Sequence, residues 1–235
     1  MKTLLLFTLA LIALTLAEGY IPVFFDARDQ WKGCIEPVRD QGKCVSSWAH
    51  TLAGMVSDRL CILKNTKASL SAQGLISCAN ESKSCEGKFS PSEIEKMLVE
   101  PGLLDNNCFK YQESSDINCP AKCEDGTPLK WYTCSKVNHV EGDIAIKEEI
   151  LKNGPVVCVT DLYADFKNYY SGVYYYATSK KTPIKHALKI IGWGRENGIF
   201  YWTVQTALGS SFGENGFARV KINDKMCNAV LACEP

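Results

Sequence analysis

At 235 residues the chain can bury a substantial core in one or two domains. Acidic and basic residues balance at 26 each, which argues against a nucleic-acid or other polyanionic partner. Twelve cysteines but only three histidines occur, with no paired C-x-x-C ligands, so neither a zinc site nor any other metal or cofactor is expected.

Residues 1–17 combine Lys2, an apolar run from Leu4 to Leu16 and the small-residue end Thr15-Leu16-Ala17, the pattern of a secretory signal peptide. No later stretch approaches the ~18 apolar residues of a membrane span. The cysteines then read as a disulfide framework made in an oxidising compartment, secreted or a lysosome-like vesicle. The turn Gln41-Gly42-Lys43 leads into Ser46-Ser47. Trp48, Leu52, Met55, Val56 and Leu60 follow at helical spacing and predict a buried helix over 48–63. Unpaired N–H groups and the dipole at such a helix start favour an anion there.

Residues 69–84 read as loop-rich, with a weak glycosylation sequon at Asn80-Glu81-Ser82. A second helix is expected over 93–99, stopped by Pro101-Gly102. Residues 108–131 carry Pro, Gly, Asp and three cysteines without periodicity and predict a stapled loop. A short helix over 144–152 closes at Asn153-Gly154-Pro155. Strand-like runs then fall at 156–161, 172–176, 186–193, 200–205 and 216–222. Helices first and strands later predict an α+β protein with two lobes.

Several fragments fall in the order of one family. Pro22, Phe25-Asp26-Ala27-Arg28 and Trp31 open the series. Gln41-Gly42, Ser57-Asp58-Arg59, Leu70-Ser71, Asn153-Gly154-Pro155, Ser171-Gly172-Val173-Tyr174 and Gly213-Glu214-Asn215-Gly216 continue it. From about residue 21 to the end, the chain resembles the papain-like cysteine peptidases, cathepsin B-like branch. The resemblance implies an extended N-terminal segment and a mainly helical left domain over 18–130. A right domain like an antiparallel β-barrel would span 131–235, with a cleft between the two. It also implies the disulfides Cys34–Cys61, Cys44–Cys85, Cys78–Cys119 and Cys108–Cys123. Cys134, Cys158, Cys227 and Cys233 stay unassigned, and Cys158, inside an apolar strand, is read as a buried free thiol.

The family's C-G-[SA]-C-[WY] signature appears here as Cys44-Val45-Ser46-Ser47-Trp48, with Ser47 in the nucleophile's place. Gln41 matches the oxyanion-hole donor. His186 lies inside the ~130–150-residue window for the family's histidine, and a core histidine on a strand is the competing reading. Thr206 takes the place of the orienting Asn and Leu208 that of the shielding Trp. Gln205 carries an amide but faces the other side of its strand. The family's Cys-Asn-Gly-Gly shelf reads Cys85-Glu86-Gly87-Lys88, so Trp48, Gly87, Lys88 and Leu208 are assigned to the cleft. No His-His occluding loop occurs between Cys108 and Cys119, and His50 holds an aromatic position without assigned function. Between residue 17 and Ile21 no inhibitory propeptide is expected, as in a protein that needs no silencing or in a truncated gene model.

Three readings follow. The first is an inactive homologue whose cleft binds peptides, protein substrates or cystatin-like inhibitors. The second is a working hydrolase using Ser47 and His186. The third is a secreted matrix component, similar to the silicateins in carrying Ser for Cys, although those retain the Asn.

Overall fold

The computed structural model describes residues 20–79, 85–87, 89, 91–175, 184–223 and 226–235. The expected signal peptide, Asn80, Lys88 and the end of the 172–176 run lie outside the described residues.

The molecule is built around a helix, Ser47–Lys64 (α2, after the one-turn α1 at Ala27–Gln30). Every residue from Ser47 to Cys61 is buried, so packing rather than one apolar stripe holds it. Several of its polar members are held by hydrogen bonds, Arg59 most fully. The Arg59 guanidinium, fully buried, donates to the carbonyls of Gly154, Pro155 and Cys233 and to Glu149 Oε1. Asn65, left-handed at φ 50°, ends the helix by returning its N–H to Leu60 O.

Residues 69–84 differ from expectation, because Ala72–Cys78 forms a helix (α3) inside the predicted loop. Ser71 caps it by accepting from Gly74 N at 2.9 Å and donates to Phe109 O, which ties the cap to a distant segment. Pro91–Val99 (α4) and Asp143–Asn153 (α5) match the other two predicted helices within two residues.

The strands are Phe25–Asp26 (β1), Leu103–Leu104 (β2), Trp131–Tyr132 (β3), Lys136–His139 (β4), Val156–Leu162 (β5), Val173–Tyr174 (β6), Ile184–Glu196 (β7), Ile199–Gln205 (β8), Phe217–Lys221 (β9) and Ala229–Glu234 (β10). Apart from the β2–β3 ribbon they form one sheet in the order β4-β10-β5-β7-β8-β9-β6, with β1 paired to β7. Its pairings are antiparallel except β6–β9, which is parallel. At the β1–β7 contact a Cβ on Gly192 would lie 2.1 Å from Phe25 O, so only glycine admits this approach.

Alternation along the central strands separates two cores. Val157, Ala187 and Leu231 face α2, α3 and α4. Val156, Cys158, Leu188, Ile190 and Val230 face the second core with Phe25, Trp193, Trp202 and Ile150. Six disulfides staple the chain: Cys34–Cys61, Cys44–Cys85, Cys78–Cys119, Cys108–Cys123, Cys134–Cys233 and Cys158–Cys227. Cys158 is therefore no free thiol. Asn228 N bonds to Val159 O, and this turn into β10 lays Cys227 beside β5, 5.3 Å away between Cα atoms.

Candidate active site

The site grows from the approach to α2. Gly42, at φ 56°, gives its N–H to Asp40 Oδ1, while Lys43 N donates to Glu113 Oε2 at 3.0 Å. The Cys44–Cys85 bond and the Val45 N to Cys85 O hydrogen bond clamp the other side of this turn. Tyr111 OH donates to Gln41 O at 2.7 Å and lies 2.8 Å from Ser46 Oγ, which has a hydrogen to give it. One tyrosine thus links Gln41 to the residue before Ser47.

Ser47 opens the helix with 2% of its surface exposed. Its Oγ accepts from the backbone N–H of Ala187 at 3.1 Å, which brings Ser47 to the strand position next to His186. The His186 ring is buried, and its Nε2 makes no hydrogen bond. Burial, with help from Lys167, pushes its pKa down to about 4, so the imidazole is neutral near pH 7. Thr206 is committed elsewhere: its hydroxyl donates to Gly216 O at 2.9 Å and accepts from Leu208 N at 3.3 Å. Gln205 turns toward the α2 side, where Nε2 donates to Glu36 O. Gln41 is held against β8's exit by its N–H to Ala207 O, and its buried Oε1 has no partner.

Of the residues assigned to the cleft, Gly87 takes φ 74° against Val45, where an added Cβ would meet Val45 Cγ1 at 3.0 Å. Leu208 pairs with Asp40 in a β-bridge. Trp48, stacked on Phe89 at 5.8 Å between centroids, lines a largely apolar cavity of about 230 Å³ together with Leu52, Val157, Ala187 and Leu231. Glu95 and His139, paired at 3.0 Å, also border it. Tyr111, the Ala187 amide and these strand-borne walls escape sequence reasoning. Tyr111 lies in a stretch without periodicity, and a backbone amide leaves no mark in residue type.

A helix start carrying a hydroxyl and a buried histidine on the adjoining strand thus stand next to residues, Trp48 and Ala187, that line an apolar cavity. The family model "Papain family cysteine protease" matches residues 21–232. The chain is 35% identical over 208 residues to Cathepsin B-like CP1 of Giardia intestinalis, covering 85% of this chain and 68% of that protein. It is 33% identical over 236 residues to Cathepsin B-like cysteine proteinase 3 of Caenorhabditis elegans, covering 88% of this chain but only 63% of that protein. Among solved structures, proCathepsin B S9 from Trypanosoma congolense superposes with a TM-score of 0.84 at 30% identity, covering 93% of this chain and 79% of that one. Digestive procathepsin L 3 of Tenebrio molitor shares the fold, with a TM-score of 0.77 at 23% identity, over 93% of this chain and 72% of that one. The chain belongs to the papain family, and its relatives include cathepsin B-like proteins.

Proposed function

We propose that this chain is a peptidase homologue without peptidase activity, whose cleft binds extended peptides or cystatin-like inhibitors. The observation that carries this reading is the state of the site's polar atoms. Ser47 Oγ accepts a backbone N–H, His186 Nε2 is unpartnered, and the Thr206 hydroxyl is given to Gly216. A cysteine peptidase needs a thiolate–imidazolium pair with an oriented ring. A serine hydroxyl is a far weaker acid than a thiol of pKa about 8.5, so it depends more heavily on an oriented base. Here the ring is held neutral by burial, and Thr206 does not orient it.

The binding half of the reading rests on the cavity beside Trp48, which has room for a large apolar side chain of a bound peptide. The cleft is taken to run between lobes spanning 18–130 and 131–235. Six disulfides support folding in the secretory route or a lysosome-like vesicle, after loss of a signal peptide over 1–17.

The test combines a broad peptide library with a fluorophosphonate probe on the purified mature protein. No cleavage and no labelling are expected, together with saturable binding of apolar-rich peptides. Cleavage abolished by Ser47→Ala, with labelling at Ser47, would replace this reading with a serine hydrolase using Ser47 and His186.

A further inference from the structure

Between α2 and the end of β8, adjoining the candidate site at Thr206, a cavity of about 20 Å³ is bounded by Glu36, Arg39, His50, Gly54, Lys189 and Gln205. His50 and Gln205 are 5% and 4% exposed. Three of their atoms, His50 Nδ1, His50 Nε2 and Gln205 Oε1, are buried without a hydrogen-bond partner.

The neighbouring groups are already engaged. Arg39 donates to Leu70 O, Glu36 Oε2 and Ser69 Oγ. Lys189 Nζ is paired with Asp58 at 2.6 Å, and Gln205 Nε2 is bonded to Glu36 O. Tyr111 meets the His50 ring edge-on at 4.3 Å between centroids, but its hydroxyl serves Gln41 and Ser46. Each cation on the wall already faces a carboxylate, so the space calls for a neutral ligand rather than an ion. Unpaired polar atoms in a dry interior are costly, and a site needs about 10–15 Å³ and two to four polar partners to hold one water.

We propose that this cavity is a binding site for a single ordered water that accepts from the His50 ring N–H and donates to Gln205 Oε1. Such a water joins α2, one helical turn past Ser47, to the strand end that leads into Thr206. Burial, reinforced by Arg39, holds the His50 pKa down to about 3, so its ring is neutral and keeps one donor and one acceptor. The site does not depend on whether the cleft cuts or only binds.

A crystal structure of the full mature chain at about 1.5 Å tests the site directly. One water peak within about 3.2 Å of both a His50 ring nitrogen and Gln205 Oε1 is expected. A cavity without density, or a direct His50–Gln205 hydrogen bond, overturns the proposal. An independent reading comes from urea unfolding of His50→Phe, Gln205→Leu and the double variant. A shared water makes the two effects non-additive by roughly fivefold in the unfolding constant. Strict additivity overturns the bridge.

Discussion

Ser47 Oγ lies 3.1 Å from Ala187 N, one residue from a histidine whose Nε2 has no partner, and this geometry limits what a single substitution can repair. On the proposed reading of an inactive site, Ser47→Cys alone is expected to yield little proteolysis, because Thr206 keeps its hydroxyl on Gly216 O rather than on the imidazole. Adding Thr206→Asn and Leu208→Trp supplies an amide and a shield. Since groups of a catalytic triad act as a unit worth ~10⁴–10⁶ in rate, the triple variant should exceed the product of the separate effects. Initial rates on a fluorogenic peptide measure this, and equal rates for the single and triple variants would refute it. A second residue-scale prediction concerns Asp58 and Lys189, paired at 2.6 Å with side chains 0% and 3% exposed. Lys189→Met leaves a buried carboxylate unpaired and should cost ~3–5 kcal/mol, whereas Asp58→Asn combined with Lys189→Met should cost less than the single change. Chemical unfolding of both variants decides it.

Among the elements, α3 depends most on one side chain. Ser71 Oγ accepts Gly74 N and donates to Phe109 O, so Ser71→Ala removes a cap and a cross-link together. A loss of about 1–2 kcal/mol is expected, read as a lower urea midpoint with an unchanged slope; a neutral effect would show the cap to be dispensable. That helix also marks where sequence reasoning fails. Seven residues with Gly74 third among them offer too little periodicity to separate α3 from loop. By contrast, Trp48, Leu52, Met55, Val56 and Leu60 repeat often enough to reveal α2. β10 escapes for another reason. It pairs on both edges, with β4 and β5, and buries both faces, so Ala229–Cys233 shows no apolar–polar alternation. Likewise the parallel β6–β9 pair is a matter of chain direction, which period-2 patterning does not encode. In the site, Gln41, Ser47, His186 and Thr206 are legible as residue types in a motif. The hydrogen-bond partners of Ser47 and Thr206 are not, because these are backbone groups of Ala187 and Gly216 brought in by tertiary structure.

At the scale of the whole molecule, two buried histidines and one buried carboxyl set the response to acid. Burial lowers His186 to about 4 and His50 to about 3, with Lys167 and Arg39 adding to the respective shifts. A histidine pKa depressed by folding means that the unfolded chain takes up a proton first, as pH falls below the ordinary 6.5. Stability from these two groups is therefore full above that value and is lost on acidification, at about 1.4 kcal/mol per pH unit for each. Asp58 works the other way. Burial raises its carboxyl to about 6 against the pull of Lys189, so the folded chain holds a proton there before the unfolded chain does. Its contribution grows as pH falls from about 6 toward the ordinary 3.8 and offsets one histidine over that range. Two protons against one leave a net loss, so the urea midpoint should fall steadily between pH 6.5 and 4.5. Replacing both histidines, as His50→Phe with His186→Gln, removes the losing side and should turn the slope level or slightly upward toward acid. Urea titrations of both proteins at pH 7, 6, 5 and 4.5 measure this. If the unmodified chain gains stability on acidification, or the double variant keeps the same downward slope, the buried histidines do not govern the acid response.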